Sequence, residues 1–168
     1  MSDKVLVAYA SRCGSTGGVA EVIGGVLNGE GTTVDVRLAK EVTDLSPYRA
    51  VVVGSAIRAG RWLPEAVKFV KTHREKLSQM PVAYFVVCLT MQEDTEESRR
   101  EAAAYLDPVR SVVSPMDVGL FAGAMDCSKL SFLLRLVMKA MKAEDGDFRD
   151  WEAIRRWATS LRPLLAEA

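Results

Sequence analysis

At 168 residues, 49% of them hydrophobic, the chain has the length for a substantial core and is too apolar for a disordered protein. Lysine plus arginine and aspartate plus glutamate number 22 each, a neutral balance that argues against general nucleic-acid binding, which draws most of its affinity from a basic surface. Three widely spaced cysteines, Cys13, Cys88 and Cys127, form neither a disulfide framework nor a zinc pattern and fit a reducing, cytoplasmic compartment. No signal-peptide pattern precedes the first strand, and no apolar run approaches the roughly 20 residues that span a bilayer.

Val5 to Ala10 is an apolar, partly β-branched run bounded by charge on one side and turn formers on the other, which predicts a short strand buried on both faces. The loop Ser11-Arg12-Cys13-Gly14-Ser15-Thr16 follows. A helical pattern then runs from Ser15 to Asn28, with Val19, Ala20, Ile23, Val26 and Leu27 on one face. Gly17, Gly18, Gly24 and Gly25 oppose it at about 1 kcal/mol each relative to alanine. Gly29 and Gly31 supply its stop. Thr32 to Leu38 is the next strand, and Glu41 to Arg49 a short polar connection. Ala50 to Gly54, AVVVG, is a second fully apolar strand, followed by the loop Ser55-Ala56-Ile57-Arg58-Ala59-Gly60. A helix is expected from about Leu63 to Leu77, with Pro64 in its first turn. Val82 to Leu89 reads as a third buried strand. After Thr90-Met91-Gln92, the acidic residues Glu93 to Glu97 suit the start of a helix that runs to about Leu106 and ends at Pro108. Residues 117–124 read as the last strand, and two helical patterns follow, Lys129 to Lys142 and Asp150 to Leu165.

Strands that alternate with helices and are apolar throughout predict one α/β domain over residues 1–168, a parallel sheet covered on both faces. Five strands with a phosphate-type loop after the first match the doubly wound order 2-1-3-4-5, with the ligand at the carboxyl ends of strands 1, 3 and 4. Those ends are Ser11–Thr16, Ser55–Gly60 and Leu89–Gln92.

In the first loop, a helix N-terminus offers unpaired N–H groups and the positive end of the helix dipole. Gly14 lets the backbone approach closely, and Ser11, Ser15 and Thr16 can donate to phosphate oxygens. There is no Gly-x-Gly-x-x-Gly and no Gly-Lys-Ser/Thr, so the chemistry suits a phosphate monoester that is gripped and not transferred. The same residues would also serve an ordinary strand–turn–helix junction. The spacing Ser-x-x-Gly-x-Thr resembles the FMN phosphate loop of flavodoxins, from which Cys13 departs where serine or threonine is commonest.

A flavin bound there needs a flat apolar slot and hydrogen bonds to its polar edge. Ile57 can supply a wall, and Gly60 or the Ala59–Gly60 peptide can present a carbonyl to a protonated N5. Arg58 can offset charge on reduced flavin or bind an acidic partner; Arg58 and Arg61 can equally be solvated. Trp62 stacks near the ring or staples the following helix. Thr90 and Gln92 are donors to the pyrimidine edge, with Met91 a soft wall. No tyrosine or tryptophan stands in this stretch, which leaves the outer face of the ring open and favours a bulky organic substrate.

The pieces VVVGSAIRAGRW, FVKTHREKLSQMPVAYFVVCL, FAGAM, LVMKAMK and DWEAIRRWA resemble the menaquinone-dependent protoporphyrinogen dehydrogenase family of flavodoxin-like proteins. The resemblance implies an FMN enzyme that takes hydrogens from protoporphyrinogen IX and passes them to a quinone. It also implies that Ser11, Arg12, Cys13, Gly14, Ser15 and Thr16 hold the phosphate, while Ser55–Gly60 and Leu89–Gln92 frame the ring. The chain departs from the family between Gln92 and Asp107 and after Met125, where an aromatic and basic stretch is replaced by Asp126-Cys127-Ser128.

Lys129 to Lys142 places Leu130, Leu133, Leu134, Val137, Met138 and Met141 at helical spacing among four basic residues. Such a helix can lie on the inner membrane surface near a lipid-soluble quinone, or pack on the sheet with its lysine stems reaching outward. His73, the only histidine, stands among charged residues and reads as solvated. With one histidine and scattered cysteines no metal site is expected. No side chain is a clear general base, so the flavin itself carries the redox step. The expectation is an FMN-dependent oxidoreductase, cytoplasmic, a monomer or homo-oligomer. The alternative is a flavodoxin-like electron-transfer protein that relays to a redox partner protein and has no substrate of its own.

Overall fold

In the computed structural model, which describes residues 4–11, 15–29, 31–58, 60–125, 146–147 and 149–166, a parallel sheet forms the middle layer. Strand β1 (Lys4–Ala10) lies between β2 (Thr33–Leu38) and β3 (Tyr48–Arg58). β4 (Arg61–Trp62) is a two-residue strand that folds back antiparallel on the end of β3, pairing Ile57 with Trp62 and Arg58 with Arg61. Beyond β3 come β5 (Val82–Cys88) and, at the edge, β6 (Asp117–Ala122). Counting the parallel strands alone, the spatial order is the expected 2-1-3-4-5. The architecture is flavodoxin-like α/β.

Every residue of β5 is buried, which is why its sequence carries no polar alternation. Alternate residues feed two cores. Leu6, Val51, Val53, Tyr84 and Val86 pack on one face with α2 (Pro64–Thr72), α3 (Arg74–Leu77), α4 (Glu96–Ala104) and α5 (Asp107–Arg110). Val5, Val7, Val52, Phe85 and Val87 pack on the other with α1 (Ser15–Leu27) and α6 (Trp151–Ala166). On that face Trp157 stands edge-on to Phe121, ring centroids 5.5 Å apart.

The glycines that weigh against α1 in the sequence include one that sets its packing. A β-carbon at Gly24 would lie 2.5 Å from Cγ2 of Val36, so the helix sits on β2 at a distance only glycine permits. Gly25, by contrast, would meet nothing within 4 Å.

Four boundaries differ from expectation. β3 begins at Tyr48 and continues to Arg58, so Ser55–Arg58 is strand and not loop, because Ser55 and Ala56 still pair with β1 and β5 and β4 gives Ile57 and Arg58 an antiparallel partner. The helix expected from Leu63 to Leu77 breaks at His73, whose backbone angles (φ −102°, ψ 15°) leave the helical range. α4 starts at Glu96, where Thr95 and Ser98 form a reciprocal capping box, each side chain accepting the other's backbone N–H at 3.0 and 2.9 Å. Pro108 falls in the first turn of α5, where its missing N–H costs nothing.

After β6, β7 (Ala124–Met125) pairs antiparallel with β8 (Gly146–Asp147). The amphipathic stretch Lys129–Lys142 lies outside the described residues. Among the described residues, no helix is long and apolar enough to cross a membrane.

Candidate cofactor site at the carboxyl end of the sheet

Parallel pairing brings the three expected segments to one end of the molecule. Ala10 stands beside Ser55, and Ala56 beside Val87, so the ends of β1, β3 and β5 form one row. The crevice follows from topology: the connection from β1 leads to β2 on one side, while β3 lies on the other.

At the first segment, Ser11 is half-buried at the end of β1 and Ser15 opens α1. Arg12, Cys13 and Gly14 lie outside the described residues. Thr16, in the first turn of α1, is fully buried, and its Oγ1 has no hydrogen-bond partner among the described residues. A buried hydroxyl left unpaired costs about 1–3 kcal/mol. Its place beside the free N–H groups of a helix N-terminus suits an anionic oxygen.

A cation stands near this turn. The Arg149 guanidinium carbon lies 4.5 Å from the centroid of the Trp151 ring. One guanidinium nitrogen is 2.6 Å from where a β-carbon at Gly18 would be, so Arg149 rests against α1 one turn from its start. The spacing Arg-x-Trp ahead of the last helix is the only trace of this in the sequence.

At the second segment, Ser55 is fully buried and faces inward. Its Oγ accepts the Leu63 N–H at 2.9 Å and donates to the Ala56 carbonyl at 2.7 Å. It holds the β3–β4 hairpin to α2, so its hydroxyl is occupied inside the protein. Trp62 is a core residue, edge-on to Tyr84 at 5.4 Å, and staples the helix rather than stacking in the crevice. Ala56 and Ile57 are half-buried, while Arg58, Gly60 and Arg61 are exposed. Gly60 has φ +73°, a turn conformation that side chains oppose. Ala59 lies outside the described residues.

At the third segment, Leu89–Gln92 is a 3-10 turn. Met91 points down into the core and is 6% exposed, so it is packing beneath the turn and not a wall of the crevice. Thr90 is half-buried, and its Oγ1 lies 3.0 Å from the hydroxyl of Tyr105. Tyr105 caps the carboxyl end of α4 and donates to Glu101 Oε1 at 3.0 Å. Its Cε1 lies 3.9 Å from where a Gly60 β-carbon would be. The aromatic ring absent from the turn's own sequence is thus supplied from α4, fifteen residues on from Thr90. The Thr90 hydrogen bond pulls the Tyr105 pKa down, but burial and the Glu101 carboxylate together outweigh it and the net direction is up. Burial pushes the Cys88 thiol up as well, against the opposing hydrogen bonds of Met91 and Thr90, so it stays protonated.

The model of the flavodoxin domain family matches residues 6–152, most of the chain. The chain belongs to the flavodoxin domain family. It is 30% identical to the protoporphyrinogen IX dehydrogenase [quinone] of Leishmania major over 97% of this chain and 76% of that protein. It is 26% identical to the protein of the same name from Escherichia coli K12 over 96% of each. Among solved structures it is similar to oxidised flavodoxin 2 from Bacillus cereus, with TM-score 0.62, 19% identity and 98% of each chain covered. A flavodoxin from the domain Archaea gives TM-score 0.60 at 16% identity, covering 98% of this chain and 99% of the other. The fold and the family agree.

Proposed function

We propose that this flavodoxin-family chain is an FMN-dependent oxidoreductase that takes hydrogens from a protoporphyrinogen-like substrate and passes them to a quinone. The observation that carries the cofactor is the buried, unpartnered Thr16 hydroxyl at the N-terminus of α1, opposite the Ile57–Gly60 hairpin and the Thr90 turn. The named activity of the relatives in Leishmania major and Escherichia coli supports the substrate class and the acceptor.

The residues present fit such a group. The α1 N-terminus, Thr16, Ser11 and Ser15 would hold the phosphate, with Arg149 adding positive charge from the side. Ile57 and the Gly60 turn would lie along the ring, with Thr90 at its far edge. FMN, when bound, supplies the exchange of hydrogen equivalents between reductant and acceptor.

The protein's own part is to hold and expose. Ser55 and Trp62 fix the hairpin from below, so that Ile57 is presented by strand geometry and not by a free loop. The exposed Arg58 and Arg61 offer two cations at the hairpin, suited to the carboxylates of a porphyrinogen. Cys88 and Met91 are buried at the end of β5 and in the turn that follows it.

The test is anaerobic oxidation of protoporphyrinogen IX by the FMN-loaded protein, with and without a soluble quinone. Porphyrin fluorescence that grows only when both FMN and quinone are present supports the reading. FMN that is reduced and reoxidised by other partners while porphyrinogen is left untouched overturns the substrate and leaves an electron carrier.

A further inference from the structure

The crevice contains a hydrogen-bond relay whose direction is fixed by the chemistry of its last member. Tyr105 donates to Oε1 of Glu101 at 3.0 Å. A carboxylate only accepts, and a phenol has a single proton. That proton is therefore committed to Glu101. The second contact of the Tyr105 oxygen, at 3.0 Å to Thr90 Oγ1, must then be one in which Thr90 donates. Thr90 has one hydroxyl proton as well, and Tyr105 holds it. What Thr90 Oγ1 has left are lone pairs. Those lone pairs can only accept.

This reverses the role expected from the sequence, in which Thr90 donates to a ring carbonyl. We infer that Glu101 and Tyr105 hold Thr90 as a hydrogen-bond acceptor, and that Thr90 Oγ1 receives a ring N–H of the bound FMN. The inference rests on the FMN reading above. In it Thr90 touches the cofactor, while Tyr105 and Glu101 are positioning residues that act through it. The relay also has a mechanical side. Tyr105 stands at the Gly60 turn as well as at Thr90, so one ring from α4 spaces the hairpin and the 3-10 turn, the two jaws of the crevice.

The test uses the full-length protein loaded with isotope-labelled FMN, with the ring N–H protons followed by NMR and affinity followed by quenching of flavin fluorescence. In the wild-type protein one ring N–H resonance is expected downfield, as for a proton in a hydrogen bond. Thr90→Val should move it upfield and weaken FMN binding by about fivefold, the equivalent of a net hydrogen bond of roughly 1 kcal/mol. Tyr105→Phe should move the same resonance, because it frees the Thr90 hydroxyl to turn and donate. Thr90→Ser should restore the wild-type signal. The double variant Thr90→Val with Tyr105→Phe should resemble Thr90→Val alone, since Tyr105 acts through Thr90. A purely structural tyrosine would lower stability and leave the resonance in place. Wild-type protein that takes up no FMN overturns the functional reading and this inference together. Wild-type protein that binds FMN, while Tyr105→Phe keeps both fold and resonance, overturns this inference alone.

Discussion

Leu63 donates its backbone N–H to the Ser55 hydroxyl across 2.9 Å, and both residues are buried. The bond joins the residue preceding α2 to the strand that carries the crevice hairpin. Ser55→Ala leaves that N–H without a partner, at a cost of about 1–3 kcal/mol. Urea denaturation should show the midpoint falling. FMN affinity should fall with it, because the hairpin loses its anchor. An unchanged midpoint would mean that the bond does not hold the hairpin.

Thr16 gives the opposite pattern. Its hydroxyl is buried and unpaired, so Thr16→Val keeps the shape and removes a group that is costly to bury. The apoprotein should be as stable as wild type or more so. FMN binding should weaken by roughly ten- to a hundredfold, since a hydrogen bond to a charged group is worth roughly 1.5–3 kcal/mol. Thermal melts without FMN and binding titrations with it should therefore move in opposite directions. A variant that loses stability and keeps its affinity would place Thr16 in the core and outside the phosphate site.

Neighbouring glycines of α1 should separate cleanly. Gly25→Ala meets nothing within 4 Å and should stabilise the protein by about 0.5–1 kcal/mol through helix propensity. Gly24→Ala drives a methyl to 2.5 Å from the branched Val36 side chain and should destabilise it by pushing α1 off β2. Chemical denaturation of the two variants side by side decides the matter.

Burial holds the Tyr84 hydroxyl protonated far above the ordinary tyrosine value of 10.0, and that hydroxyl donates to the Val113 carbonyl at 2.7 Å. The sign follows from the raised folded-state pKa. The contribution is whole below the unfolded value of 10.0 and is lost as pH climbs above it. An ultraviolet titration of the native protein should show one of its four tyrosines silent until the fold gives way. Tyr84→Phe should remove that delayed step. Four tyrosines titrating in a folded protein would contradict the packing described.

Some of this was legible from residues alone. β1 and β5 announce themselves because a parallel strand buried on both faces has no polar positions, and VLVAYA and VAYFVVC have none. The row of segments at the carboxyl ends followed from the alternation of strands with helices. Other features depend on contacts that no local pattern encodes. Ser55–Arg58 reads as loop until Ser55 and Ala56 pair with β1 and β5 and Trp62 and Arg61 fold back on Ile57 and Arg58. Met91 looks like a crevice residue until the 3-10 turn aims it inward. Tyr105 reaches Thr90 from the carboxyl end of α4, a contact between residues fifteen apart that no local pattern shows. Gly24 counts against a helix by propensity and is required by the distance between α1 and Val36.

A crevice that grips a flavin through its phosphate must distinguish flavins by that phosphate. Parallel titrations of the purified protein with FMN and with riboflavin, followed by flavin fluorescence, test it most directly. Saturable quenching by one FMN per chain is expected, with far weaker binding of riboflavin, which has the ring and lacks the phosphate. Equal affinity for the two would contradict the phosphate cradle, and no quenching by either would contradict flavin binding itself.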